Sequence, residues 1–402
     1  MKPAALSLAQ ACAVLADHLS PLPPERVPLT KALGRVSAAA ICAARPSPAF
    51  SQSTRDGFAV AAQPLAVDQG AAVFQVIGEM AAGCGEQKAL APGQAVRIMT
   101  GALLPSNAVR VIPFEVCQEN DKTVQVPLAE LENRQLHIRC QGQDIQAGQV
   151  LAAAGTRLLP DHLRWLAENG SEEITAHRLP RVAVLCTGSE LVSAGETLQH
   201  GQKISSNGVL LTALLEEQHC TCVRSVTAAD KAEPTAALIC AIIAQDQPDL
   251  LISTGGMGPG KFDLTEQVFA RLGGKLFCNR LRLRPGKATL LGMLGKRPFL
   301  GLPGPPPAVR LLFHELVAPA LRQLAGEAAS DRLLEAVLDQ PLPVRQKDRA
   351  ELVLKGGRAW LDAAGCLRVR PAATLEPVNA IMHLSGNRSE RVQVRLVGPL
   401  AA

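Results

Sequence analysis

Between residues 57 and 140 apolar and polar positions alternate in short runs, at 73–77, 95–99 and 109–113, broken by glycine and proline. A period of two marks half-buried strands and predicts a small all-β domain. From Arg181 the rhythm changes. Unbroken apolar runs at 182–187, 222–228 and 249–254 alternate with segments of helical period at 207–218, 232–245 and 263–272. Strands buried on both faces and separated by helices predict a doubly wound α/β domain. Turn-rich segments at 281–287, 290–293 and 299–303 lead back to the same end of the sheet, before a helix at 308–324. The stretch 328–402 returns to short strands and turns, the pattern of a small barrel or sandwich.

The N-terminal part is less regular. Leu8, Cys12, Leu15 and Leu19 share one helical face behind a Ser7–Gln10 capping box, and Pro21 closes the segment. A short helix is expected within 27–43, around Ala32-Leu33-Gly34-Arg35-Val36, and another at 161–169, capped by Asp161 and stopped at Gly170. The chain thus divides into an N-terminal helix and linker domain (1–46 with 141–176), a β-rich domain (47–140), an α/β domain (177–327) and a C-terminal β domain (328–402).

Composition narrows the possible functions. A chain of 402 residues with 47% hydrophobic and 19% charged residues is globular. Aromatics make up 3% and tyrosine is missing, so stacking surfaces for nucleic acid are not expected. The net charge of +5 suits an anionic small ligand, without a basic run to follow a nucleic-acid backbone. Eleven scattered cysteines, none spaced as CxxC, argue against a zinc site or a disulfide framework and for a reducing cytoplasm. No apolar run approaches the length of a membrane span.

The chemistry centres on Asp249-Leu250-Leu251-Ile252-Ser253-Thr254-Gly255-Gly256-Met257-Gly258-Pro259-Gly260-Lys261-Phe262-Asp263. A buried strand runs into a turn with four glycines and then a helix. Glycine lets the backbone approach a ligand, and a helix start offers unpaired N–H groups to a phosphate. In doubly wound sheets the ligand lies beyond the carboxyl ends of the strands, where residues 187–190 and 254–260 both fall.

Eight segments in register resemble the MoeA family of molybdopterin molybdenumtransferases, which includes the E domain of gephyrin. They are Ala32-Leu33-Gly34-Arg35-Val36, Arg55-Asp56-Gly57-Phe58-Ala59-Val60, Arg97-Ile98-Met99-Thr100-Gly101-Ala102-Leu103-Leu104-Pro105 and Gly142-Gln143-Asp144-Ile145, followed by Thr187-Gly188-Ser189-Glu190-Leu191, Ser253-Thr254-Gly255-Gly256, Arg284-Pro285-Gly286-Lys287 and Gly301-Leu302-Pro303-Gly304. The resemblance implies a four-domain homodimer whose α/β domain is MogA-like. It also implies a reaction in which Mg²⁺ supports hydrolysis of adenylylated molybdopterin, molybdate supplies the metal for the pterin dithiolene, and AMP is released. The implied partners are a MogA-type adenylyltransferase and the maturation proteins of molybdenum enzymes; neither nucleic acid nor membrane is expected.

Under that resemblance the catalytic acids are Asp56, Asp144, Glu190, Asp230 and Asp263, with Glu190 and Asp263 as Mg²⁺ ligands. The ligand-binding positions are Thr100, Gly101, Thr187, Gly188, Thr254, Gly255, Gly256, Gly258, Arg284, Lys287, Pro303 and Gly304. Each has a plainer reading. Asp263-Leu264-Thr265-Glu266 is a capping box, Asp230 can cap the next helix, and Glu190 can sit in a first helical turn. Asp56 can pair with Arg55, Asp144 can form an Asx-turn, and Thr100-Gly101 can be an ordinary β-turn. Arg284 and Lys287 can be two solvated charges.

The family usually carries lysine at Arg284, proline at Ala288, asparagine at Pro305, serine at Ala308 and a serine near Gly258. Its serine-rich C-terminal segment has at most a remnant in Val378-Asn379-Ala380. These departures fall on the molybdate side. They leave open a second reading, a non-catalytic carrier, sensor or scaffold for molybdopterin or the finished cofactor. A nucleotide-linked adenylyltransferase using the α/β domain alone is a third, against which the flanking β-rich regions count.

Overall fold

Strand β1 (Arg181–Thr187) shows why the α/β sheet forms where the apolar runs predict it. Val182, Val184 and Cys186 point to one face and join a core with the helix α1 (Asn207–Glu217), while Ala183 and Leu185 point to the other and meet α2 (Ala232–Asp246) and α3 (Leu264–Arg271). Alternate side chains leave a strand on opposite faces, so a strand covered on both must be apolar throughout. Each fully buried Val or Leu contributes roughly 1.5–3 kcal/mol. The computed structural model describes residues 4–85, 88–193, 195–256, 264–328, 333–340, 352–385 and 390–401.

With β2 (Thr221–Ala228), β3 (Leu250–Thr254), β4 (Lys275–Cys278), β5 (Leu290–Leu294) and β6 (Arg297–Leu302), the sheet order is β2-β1-β3-β6-β5-β4. β2, β1, β3 and β6 run parallel; β5 runs antiparallel to β6, and β4 antiparallel to β5. The segments read as turn-rich at 290–293 and 299–303 are therefore the two strands of a hairpin. The following helix is continuous but changes pitch, from α4 (Pro306–Leu312) through a π turn (Phe313–Val317) to α5 (Ala318–Leu324).

The N-terminal helix (Leu8–Ala16) has the predicted Ser7–Gln10 capping box and stops one turn before Pro21. Its Ala11 and Leu15, with Leu19 beyond its end, belong to the α/β core rather than to the linker segment beside it. The helix expected within 27–43 does not form. A strand (Pro24–Pro28) pairs with Glu173–His177, a single 3₁₀ turn (Leu29–Lys31) follows, and Gly34 takes a left-handed φ of +72° against the ring of His219. The alanine-rich part is held extended by distant partners, Val36 by Arg157, Ser37 by Ala176 and Ile41–Cys42 by Val150–Ala152, which override its local propensity. The second predicted helix starts at Pro160 and ends at Glu168, so Asp161 lies in its first turn instead of capping it. The ring Nδ1 of His162 receives the Leu159 N–H (3.0 Å) in place of a cap.

The β-rich domain is a seven-stranded sheet built around Gly57–Ala61, with Gln94–Ile98 and Ala108–Pro113 on either side. In the C-terminal region Leu352–Leu361, Leu367–Pro371, Leu334–Leu338, Arg391–Leu396 and Ala380–Leu384 pair in that order, and the last pairs with the first. The result is a closed five-stranded barrel filled by Ala336, Ala359, Val369, Ala380, Met382 and Val394.

Candidate functional site

Three strands of the α/β sheet end at one edge: β1 at Thr187, β3 at Thr254 and β6 at Leu302. The turns after them and the start of α1 enclose a cavity of about 730 Å³. Its walls include the predicted Thr187, Gly188, Glu190 and Asp230, together with Thr254, Gly255, Gly256, Pro303 and Gly304. Leu191 and Pro305, the latter marked above as a departure from the family, also line it, as do Lys203, Ile204, Ser205, Ser206, Asn207 and Pro306, which were not singled out from the sequence.

The turn after β3 needs glycine. Gly255 and Gly256 have φ of +87° and +62°, and a Cβ on Gly255 would stand 2.2 Å from the carbonyl oxygen of Thr187. Side chains fix this turn from three directions. Thr187 Oγ1 donates to Thr254 O (3.2 Å), Thr265 Oγ1 to Gly255 O (3.1 Å), and Asn207 Nδ2 to Thr254 Oγ1 (3.2 Å) and Gly304 O (2.8 Å). Asn207 thus ties α1 to the ends of β3 and β6. A polar Ser205-Ser206-Asn207 run just ahead of an apolar helix was the signal available for it.

Some donors expected to face a phosphate are already used. The N–H groups of Gly188 and Gly255 bond Ala228 O (3.1 Å) and Leu302 O (3.2 Å). The hydroxyl of Thr254 accepts from Asn207 and also hydrogen-bonds the thiol of Cys186.

Two exposed carboxylates stand on the cavity wall. Glu190 follows β1 in a turn leading to the short strand Leu191–Val192, so it complements no helix dipole. Asp230 does not cap α2, whose N-cap is Lys231; its Oδ2 accepts the Ser189 N–H (3.4 Å), and its own N–H donates to Ser189 Oγ (3.2 Å). Lys203 supplies a cation on the same wall. Among the described residues no three His, Cys, Asp or Glu side chains form a metal cluster. Asp263 and Gly258 lie outside the described residues.

The remaining predicted residues are not on this wall. Asp56 sits in the β-rich domain and accepts from both the N–H (2.7 Å) and the hydroxyl (2.8 Å) of Thr100, instead of pairing with Arg55. The Thr100 backbone bond, then its hydroxyl, holds this exposed carboxyl below the usual range. Gly101, at φ +80°, gives its N–H to Ser53 O (2.9 Å), so Thr100-Gly101 is a turn that positions Asp56. Asp144 is ion-paired with Arg139. Arg284 lies in a two-residue strand paired with the C-terminal barrel, and Lys287 is exposed beside it.

Residues 6–170 match the MoeA N-terminal region (domain I and II), and residues 183–323 match a probable molybdopterin binding domain. A molybdopterin molybdenumtransferase of Haemophilus influenzae is 34% identical over 324 residues, covering 80% of this chain and 78% of that protein. One from Bacillus subtilis is 31% identical over 372 residues, covering 90% and 86%. The crystal structure of a molybdopterin biosynthesis MoeA protein from Pyrococcus horikoshii superposes with a TM-score of 0.77 at 26% identity, over 98% of this chain and 99% of that one. The chain belongs to the MoeA family of molybdopterin molybdenumtransferases.

Proposed function

We propose that the protein inserts molybdenum from molybdate into adenylylated molybdopterin in a Mg²⁺-dependent reaction that releases AMP. The observation that carries this is the cavity itself: two carboxylates, a lysine and a clamped glycine turn at one sheet edge, in the domain matched to molybdopterin binding. Glu190 and Asp230 offer the oxygen donors that Mg²⁺ takes while it keeps several waters, and Asp263 is proposed to join them. When bound, the ion neutralises charge on the phosphoanhydride. Thr254 and the glycine turn that it begins stand beside the phosphates, and Lys203 balances their charge from the wall that it shares with the two carboxylates. Asp56 and Asp144 act, in this proposal, from the second subunit of a homodimer, since neither lines the cavity of its own subunit. A MogA-type adenylyltransferase would supply the substrate, the maturation proteins of molybdenum enzymes would take the product, and the site of action would be the cytoplasm. Among the described residues no helix is long and apolar enough to cross a membrane.

One observation favours the non-catalytic reading. Arg284 and Lys287 do not line the cavity, which leaves the molybdate pocket dependent on other residues. The test is single-turnover cleavage of adenylylated molybdopterin by the purified protein with Mg²⁺, with and without molybdate or tungstate. AMP release that needs the oxyanion, stops with EDTA and collapses in Glu190→Gln and Asp230→Asn supports the transferase. Tight binding without AMP release under any oxyanion would leave the carrier.

A further inference from the structure

Ser189 lies in the turn that carries Glu190, yet its hydrogen bonds run to the other carboxylate. β1 and β2 are neighbours in the sheet, and their pairing ends with Thr187 opposite Ala228. The Gly188 N–H extends the ladder one step, to Ala228 O (3.1 Å). Beyond it both turns are exposed, and Ser189 joins them. The Asp230 N–H donates to Ser189 Oγ (3.2 Å), and the Ser189 N–H donates to Asp230 Oδ2 (3.4 Å).

One such bond would act as a pivot. Two that run in opposite directions hold different parts of the same residue, the first its backbone and the second its carboxylate. Asp230 Oδ1 takes no hydrogen bond from the described residues. The segment around Ser189 also places the other charges of the wall. Gly188 lets Glu190 fold back, since a Cβ there would stand 2.9 Å from Glu190 Oε2. The carbonyl of Glu190 accepts the Lys203 N–H (2.8 Å).

Two carboxylates on one wall repel each other, and an untethered Asp230 would turn away to relieve this. The clasp opposes that movement, and a cation shared by the two acids removes the repulsion. We infer that Ser189 is a positioning residue, which holds Asp230 where it and Glu190 can both give oxygens to one divalent cation. The inference rests on the Mg²⁺ dependence proposed above. Ser189 itself need not touch the ion.

The experiment is equilibrium titration of the full-length protein with Mn²⁺, an EPR-visible substitute for Mg²⁺. Ser189→Ala removes the acceptor for the Asp230 N–H and should weaken Mn²⁺ binding about 3- to 10-fold. Ser189→Thr keeps the hydroxyl and should bind within about two-fold of wild type. In an Asp230→Asn background, Ser189→Ala should change the affinity by less than about two-fold, because a residue that acts through Asp230 has nothing left to position. A merely structural role would weaken binding equally in both backgrounds, and that result overturns the inference. So does a Ser189→Thr variant as weak as Ser189→Ala. Ser189→Ala that binds as wild type does, beside an Asp230→Asn that does not, overturns the positioning role and leaves the proposed function standing. A wild type that takes up no Mn²⁺ overturns both this role and the Mg²⁺ dependence.

Discussion

His314 gives a direct test of the packing between the α/β domain and the barrel. It lies in the π turn, 5% exposed, with Nε2 buried and without a hydrogen-bond partner among the described residues. Burial, and then the charges of Arg310, Arg395 and Arg322 against that of Glu315, push its pKa down from 6.5 to about 4. The ring is therefore neutral in the fold but protonated in the unfolded chain over that interval. The unfolded state binds more protons there, so stability rises with pH: the contribution is complete above pH 6.5 and lost as pH falls toward 4. The whole difference corresponds to about 3 kcal/mol, of which about 2 kcal/mol disappears between pH 7 and pH 5. Glu315, whose pKa is lowered from 4.5, contributes only below that window. Urea unfolding at pH 7, 6 and 5 can be followed through Trp360, on a barrel strand. Wild type should lose about 2 kcal/mol more than His314→Leu across this range; subtraction removes what His219, lowered in the same direction, adds to both. Parallel pH profiles for the two proteins would refute the reasoning.

Three more outcomes are expected. Gly255→Ala forces a left-handed residue, at about 1–2 kcal/mol, and a clash with the Thr187 carbonyl, so it should lower Tm and weaken ligand binding at least ~10-fold; a variant as stable as wild type would contradict the geometry. Glu315 is 1% exposed and accepts from His383 Nε2 (2.8 Å) and Arg395 Nε (3.0 Å), so Glu315→Leu removes the buried acceptor that both donors share. A loss of about 3–5 kcal/mol in denaturant unfolding is expected, and under 1 kcal/mol would show that the cluster is dispensable. Asp56 should stay ionised below 3.8, and Thr100→Val, which removes one of its two donors, should raise its carboxyl ¹³C titration midpoint; an unmoved midpoint would exclude the hydroxyl as a cause.

The α/β sheet was readable because its strands are apolar on both faces, and the cavity because Thr187, Gly188, Thr254 and Gly255 stand where such strands end. The role of Asn207 was not readable, since it depends on two acceptors far away in sequence, the hydroxyl of Thr254 and the carbonyl of Gly304. The false helix within 27–43 arose from local propensity, which carries no information about the partner strand at 173–177. Asp56 and Thr100 were both marked, yet the hydrogen bonds between them span 44 positions and left no periodic trace. The hairpin of β5 and β6 was taken for turns because short antiparallel strands resemble loops when glycine and proline flank them.

The placement of the first helix decides where this chain can be cut. Ala11, Leu15 and Leu19 are buried in the same core as Leu316 and Leu321, the Leu22 N–H reaches Leu324 O (2.8 Å), and Gln323 donates to Ala16 O and Leu19 O. A fragment begun at residue 177 to isolate the α/β sheet would bare an apolar strip along α5 and invite aggregation. One that joins residues 4–22 to the sheet through a linker should stay soluble, so the ligand-binding unit is discontinuous in sequence and any minimal version of it must carry its own first turn of chain.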